Sequence, residues 1–282
     1  GVVVSGTRIE PPLHPKGPEK VIRDFGIEPE EFQEQELLNW FTHNYRPEQE
    51  TTEGIFAPWA IYKEDFQKIG GHDPLFAPQS KEDSDIFNRF ILAGYEVVQT
   101  RKGCVYHMTC RGSRFADGAK RNPDGQVFMK NRETDEWLTQ NVRSTRNFIR
   151  KWGTMVEHDE YLKPIITPMY SIGYELTEAA DVNTIGNLEP YCQYMVVPAE
   201  QEIKQYIEQE QPNTQYNLSE KFGTRVPDSP IYDIKVVFNP WELTQQSFQI
   251  LTQLPKIIKD SGEEGQRFQL DIFDIWIEQM VE

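Results

Sequence analysis

The sequence predicts an α/β protein in two parts. A mixed sheet with flanking helices is expected over residues 1–160, and a small α/β domain over 164–282. Apolar runs of strand length alternate with amphipathic helical stretches in the first part. From about Lys163 the pattern changes to short strands and helices in strict alternation. With 282 residues, 38% hydrophobic and 26% charged, the chain is long enough for one large or two modest domains, each with its own core.

In order along the chain, the valine-rich stretch Val2 to Ile9 reads as a strand closed by Pro11 and Pro12. Glu28 to Tyr45 reads as a helix, with Phe32, Leu37, Leu38 and Phe41 spaced for one apolar face. Ile55 to Tyr62 reads as a strand interrupted by Pro58. Lys63 to Ile69 is a short helix stopped by Gly70 and Gly71, which suit a left-handed cap. Ser80 precedes a helix from about Glu82 to Ala93, ended by Gly94, and two strands follow, Tyr95 to Thr100 and Cys104 to Thr109. Arg111 to Asn131 reads as a long mobile loop and Thr134 to Trp152 as a further helix. In the second part, strands are expected at Ser171 to Leu176, Tyr194 to Val197, Asp233 to Phe238 and Phe268 to Trp276. Helices are expected near Ile185 to Tyr191, Glu200 to Glu210 and Thr244 to Ser261.

The net charge of -16 argues against nucleic acid or an anionic membrane as a partner held by bulk electrostatics. No apolar run is long enough to span a bilayer, and no secretory leader is expected at the start. Three cysteines, Cys104, Cys110 and Cys192, sit at no disulfide-framework spacing, so a cytoplasmic setting is expected. The charge is uneven: Arg101 to Lys151 holds twelve basic and five acidic residues, a local +7. That is either a solvated basic face or an anion site for a phosphorylated ligand.

The residues that suggest chemistry lie between Phe56 and Phe115. Glu82, Asp83 and Asp85 crowd three carboxylates into one helical turn, which raises at least one pKa. Asp85 pairs with Arg89 four residues on, leaving Asp83 the freer group and a candidate general base toward a hydroxyl. The competing reading is structural: Ser80-x-x-Asp83 is a capping-box pattern, and acidic residues in a first turn stabilise a helix with no catalytic role. A zinc site at Cys104-x-x-His107-x-x-Cys110 is disfavoured, since on a continuous strand the two cysteines face away from His107. Asn217-Leu218-Ser219 matches a glycosylation sequon and is expected to be a plain surface turn.

The run IGGHDPLFAPQSKEDSDIFNRFILAGYEVVQTRKGCVYHMTCRGSRF, from Ile69 to Phe115, resembles the C-terminal half of family 2 glycosyltransferases. The order is Gly-Gly-x-Asp, Glu-Asp-x-Asp, Arg, Ala-Gly-Tyr, then a strand ending in His. The resemblance covers roughly residues 1 to 115 and implies a partial GT-A-like mixed sheet. It also implies inverting transfer from a nucleotide-sugar to a carbohydrate or other hydroxyl acceptor. Asp83 falls on the base, with Glu82 beside it. His107 falls on a ligand of a divalent metal, Mn²⁺ or Mg²⁺, and Trp59 on an acceptor-stacking aromatic. Asp85 is placed at the substrate, with Arg111 and Arg114 as partners of the leaving diphosphate. The family usually has Phe where His72 stands. Such enzymes begin with a nucleotide-binding half carrying Asp-x-Asp, and no Asp-x-Asp occurs upstream of Asp83. The expectation is therefore a fragment or a separate nucleotide-binding chain. The alternative is a non-catalytic carbohydrate-binding or assembly module derived from a transferase.

Overall fold

The valine-rich opening forms β1 (Val2–Glu10), the strand on which the first sheet is built. In this computed structural model the described residues are 1–12, 16–27, 29–108, 120–121, 127–128, 135–226, 232–261 and 267–277. Alternation along β1 buries Val3, Ser5, Thr7 and Ile9 on one face. After it come β2 (Lys20–Ile22), α1 (Glu34–His43), β3 (Thr51–Thr52), β4 (Trp59–Ala60), α2 (Lys63–Lys68), α3 (Glu82–Leu92) and β5 (Glu96–Tyr106). The sheet order is β2-β1-β5-β3, with β4 on β1. β1 runs parallel to β2 and β5, and antiparallel to β4. Parallel pairing sets Ile9 opposite Tyr106, so the carboxyl ends of β1 and β5 share one edge of the sheet. Substrates of open α/β sheets gather at that edge. α3 covers the sheet through Ile86, Phe87 and Phe90, which pack with Val3, Ile55, Tyr95 and Val97.

The chain divides into two units. One comprises Gly1–Asn141 with Glu157–Ile165, the other Val142–Val156 with Ile166–Glu282. A short ladder, β6 (Lys120–Arg121) on β7 (Val127–Phe128), precedes α4 (Asp135–Trp152). The second unit holds β8 (Ile172–Leu176), α5 (Val182–Leu188), β9 (Tyr194–Val196), α6 (Glu200–Glu210), β10 (Phe222–Gly223), β11 (Ile234–Phe238), α7 (Gln245–Ser261), β12 (Arg267–Leu270) and β13 (Phe273–Ile277). Its order is β10-β9-β8-β11-β13-β12, parallel except at β13 and β12. The fold is thus a pair of mixed sheets with flanking helices, as the sequence predicts.

Several elements differ from expectation for local reasons. The helix expected over Glu28 to Tyr45 begins only at Glu34, because Gln33 N–H turns away to the Phe25 carbonyl at 2.8 Å. The strand Ile55 to Tyr62 shrinks to Trp59–Ala60, since Pro58 has no N–H to give a ladder. The strands read at Tyr95 to Thr100 and Cys104 to Thr109 are one, β5, ending at Tyr106, with a register shift against β1 after Ser5; Thr109 lies outside the described residues. Within the expected loop Arg111 to Asn131, β6 and β7 pair; its other residues lie outside those described. Phe268 to Trp276 is a hairpin, not one strand, turned at Asp271 in the left-handed region (φ 55). The strands β2, β3 and β10 have two or three residues each, too short to leave a periodic signal. Among the described residues no helix is long and apolar enough to cross a membrane.

Candidate active site

Asp83 lies in the first turn of α3, and the lead-in to that helix is unusual. Ser80 and Lys81 both adopt left-handed backbone, at φ 80 and 71. Each is a strained conformation for a non-glycine residue, costing about 1–3 kcal/mol. The expected capping box does not form. Lys81 is the N-cap with no side-chain cap bond, and Ser80 Oγ donates instead to Asn141 Oδ1 at 2.6 Å. Asp83 still lies among the acids of the first turn, where a negative charge stabilises the helix N-terminus.

The three carboxylates of this turn occupy three different environments. Asp85 has no exposed surface and meets Arg89 through Nε at 2.9 Å and Nη2 at 2.7 Å. Arg89 Nη1 also donates to the Ile69 carbonyl at 2.8 Å, tying α3 to the end of α2. Glu82 keeps one buried oxygen without a hydrogen-bond partner. Asp83 is half-buried, and its side chain makes no hydrogen bond among the described residues. Burial and the neighbouring Glu82 charge push its pKa up, while His72 and Arg8 pull it back. A half-buried carboxylate with raised proton affinity and free oxygens suits proton abstraction from a hydroxyl.

Trp59, Phe66, Phe90 and His72 form an aromatic wall, and the His72 charge acts on Asp83. Trp59 meets Phe90 edge-on at 5.5 Å, and His72 lies 6.0 Å from Trp59 and 5.7 Å from Phe66. Trp59 is only partly buried and His72 is exposed, so this wall keeps an open side. The turn that presents His72 needs its glycines. Gly70 and Gly71 have φ of 89 and 66, and a Cβ on Gly71 would come within 3.2 Å of the Phe66 ring.

His107 follows the last residue of β5, held by its N–H to the Ile9 carbonyl at 2.8 Å. Its Nδ1 is 2.9 Å from Glu10 Oε2. Glu10 is fully buried and also meets Lys20 Nζ at 2.8 Å and Arg8 Nη1 at 3.6 Å. Burial alone would raise the Glu10 pKa. The hydrogen bonds from His107 and Lys20, with the Arg8 charge, outweigh it and hold Glu10 at about 2. Arg8 lies 3.8 Å over the Phe56 ring and reaches Glu19 Oε1 at 3.4 Å. Its charge favours the ionised form of both Glu10 and Asp83.

His107 Nδ1 is engaged by Glu10, and the His107 side chain is 41% exposed. Among the described residues no three His, Cys, Asp or Glu side chains are grouped to hold a metal ion. Cys104 Sγ faces the Arg101 carbonyl at 3.4 Å, and Cys110 lies outside the described residues. Arg111 and Arg114 also lie outside them. A cavity of about 530 Å³ opens elsewhere, lined by Thr52, Tyr95, Val97, Asp159, Tyr161 and Lys163 among others. None of the described candidate residues lines it, and the perturbed carboxylate at Asp83 is the better guide to chemistry.

Residues 41–110 match the family model described as the N-terminal domain of galactosyltransferase. That is 70 of the 282 residues, and the segment is similar to a GT-A-like glycosyltransferase domain. The match contains Trp59, His72, Glu82, Asp83, Asp85 and His107. No curated protein and no solved structure matches the chain. The description names galactosyltransferases where the sequence resemblance pointed to family 2, so the statement they share is glycosyl transfer.

Arg8, Glu10 and Lys20 lie before the matched segment, and the sequence reading did not single them out. A signal was present in β1. Arg8 and Glu10 are two apart, so they share one face at the carboxyl end of a strand that carries no other charge. Two charges on one face of a central strand have to be paired or used.

Proposed function

We propose that this chain is the acceptor-side part of an inverting glycosyltransferase, of the type the resemblance to family 2 suggests. Asp83 takes the proton of an acceptor hydroxyl as that oxygen bonds to the anomeric carbon of a nucleotide-sugar. The bond from that carbon to the diphosphate breaks, and its electron pair leaves with the nucleotide. Glu82 keeps the proton affinity of Asp83 high, and Trp59 with His72 forms the wall against which the acceptor lies. Asp85, fully buried against Arg89, fixes the turn and does not meet the substrate. Arg111 and Arg114 are proposed to face the leaving diphosphate. A divalent cation, Mn²⁺ or Mg²⁺, would neutralise that leaving group, and His107 is the described residue that would hold it. The Asp-x-Asp half that binds the nucleotide belongs to the same proposal, as a part supplied beyond these residues.

One observation carries the reading. Asp83 sits just after a strained turn at Ser80 and Lys81, with raised proton affinity and a side chain free of hydrogen bonds among the described residues, inside the segment that matches a galactosyltransferase model. The test is to incubate the full-length protein with UDP-, GDP- and CMP-sugars, Mn²⁺ and a panel of glycan acceptors. Transfer from one donor class is the expected result, and release of no nucleotide from any donor would remove the proposal.

A further inference from the structure

A groove runs past the edge strand β3 in the first unit, and no step proposed for Asp83 uses it. Two cavities, of about 530 and 300 Å³, adjoin at Gln49, Thr52 and Tyr161, which line both. Each is of the size of a small-molecule site, about 300–1,000 Å³. The larger opens over Glu96 and Val97 at the start of β5, whereas His107 follows the end of that strand. Tyr161 is held through its backbone on both sides. Its N–H donates to Asp159 Oδ1 at 2.8 Å, and its carbonyl accepts from the Ile55 N–H at 3.4 Å. Gly54 permits that approach, since a Cβ there would fall 2.9 Å from the Tyr161 carbonyl oxygen. The Tyr161 ring is half-buried, and its hydroxyl makes no hydrogen bond among the described residues. Tyr45 lines the smaller cavity, its ring stacked on Phe41 at 5.2 Å. The groove thus offers two fixed aromatic rings.

Charge narrows the ligand. Four carboxylates and two cations line the two cavities, which disfavours a phosphorylated or sulfated ligand. Both cations are already engaged: Lys163 meets Glu53 Oε2 at 2.5 Å, and Arg101 donates to the Pro18 carbonyl. Among the described residues no acids are grouped to hold a metal ion. The edge strand β3 has two residues, too few to template an added peptide strand. The side chains of Gln49, Thr51 and Glu96 line the larger cavity and make no hydrogen bond among the described residues. Gln49 and Thr51 both donate and accept, and Glu96 accepts, which is what a set of hydroxyls requires. We propose that this groove binds a neutral oligosaccharide. One pyranose lays its apolar face on Tyr161 and turns its hydroxyls to Gln49, Thr51 and Glu96, and a neighbouring sugar meets Tyr45. The inference does not need the transferase reading, because the groove takes a glycan whether or not Asp83 transfers a sugar.

The test is to apply the full-length protein to an array of neutral, sialylated and sulfated oligosaccharides, then titrate a retained glycan by calorimetry. Retention on neutral glycans is expected, weakened about tenfold by Tyr161→Ala and about threefold by Gln49→Ala. Gln49 is exposed, so its variant decides the matter even if Tyr161→Ala fails to fold. Retention of no neutral glycan, or of acidic glycans only, would overturn the inference. So would parent-like affinity in folded variants, or loss of binding in Trp59→Ala instead, which assigns the glycan to the Asp83 site. Binding without sugar transfer counts against the transferase alone, and transfer without groove binding counts against this inference alone.

Discussion

Replacing Asp83 with asparagine is expected to lower sugar transfer about 10²–10⁴-fold, the usual contribution of a positioned general base. The substitution keeps the shape of the side chain and removes its ability to take a proton. The Asp83 side chain makes no hydrogen bond among the described residues, so the change breaks none. Its stability should move the other way. The folded pKa lies above the ordinary carboxylate value, through burial and Glu82. Ionising this group therefore costs stability as pH rises through that interval, and the neutral asparagine escapes the cost. Steady-state kinetics beside a thermal melt at pH 7 checks both parts. A large fall in kcat with an unchanged or higher Tm is expected, whereas a lower Tm with unchanged kcat would make Asp83 a structural residue. In the parent enzyme the acid limb of kcat/KM should lie above the ordinary aspartate range.

The largest effect on stability is expected in the second unit, at Glu189. This carboxylate is fully buried and meets Arg150 Nη2 at 2.6 Å, the Tyr206 hydroxyl at 2.8 Å and Lys221 Nζ. Arg150 in turn reaches Glu210 at 2.7 Å, and Arg146 Nε reaches Glu210 at 3.0 Å. Burial would raise the Glu189 pKa, but Lys221 and Arg150 outweigh it and hold it at about 2. Glu189→Gln leaves buried Arg150 and partly buried Lys221 short of a counter-charge, at a cost of about 3–5 kcal/mol. Amide hydrogen exchange over β8, β9 and β11 reads this directly as faster exchange in the variant. The acid dependence follows from the direction of the shift. A carboxylate with a depressed folded pKa stabilises the unit above its unfolded value, 4.5, and that contribution is lost as pH falls from there toward 2. The variant should lack this part of the acid transition; equal exchange at neutral pH in both proteins would contradict the account.

The two sites differ in how much of them could be read in the sequence. The carboxylate turn at Glu82 to Asp85 was legible because its residues are consecutive, and the Asp85–Arg89 pair follows from helical spacing alone. Gly70 and Gly71 were legible as left-handed positions for the same local reason. Ser80 misled, because a capping pattern specifies which bonds are available and not which are made; Asn141, 61 residues away, takes its hydroxyl. Arg8, Glu10, Lys20 and His107 form one cluster only because β1, β2 and β5 pair in parallel, and such register has no local signature. Glu189 was silent for the same reason: Arg150, Tyr206 and Lys221 lie 39, 17 and 32 residues from it. Short strands such as β3 and β10 take their conformation from the neighbour they pair with, so composition does not reveal them.

The central claim is that Asp83 acts as a base in a single displacement, and the stereochemistry of the product tests it most directly. The anomeric proton of the product, followed by NMR from the first turnovers with an α-linked nucleotide-sugar, reports the configuration at the reacting carbon. A β-linked product is the expected result, since direct attack by the deprotonated hydroxyl inverts that centre. An α-linked product would contradict the account, because retention requires chemistry that a lone base at Asp83 does not supply.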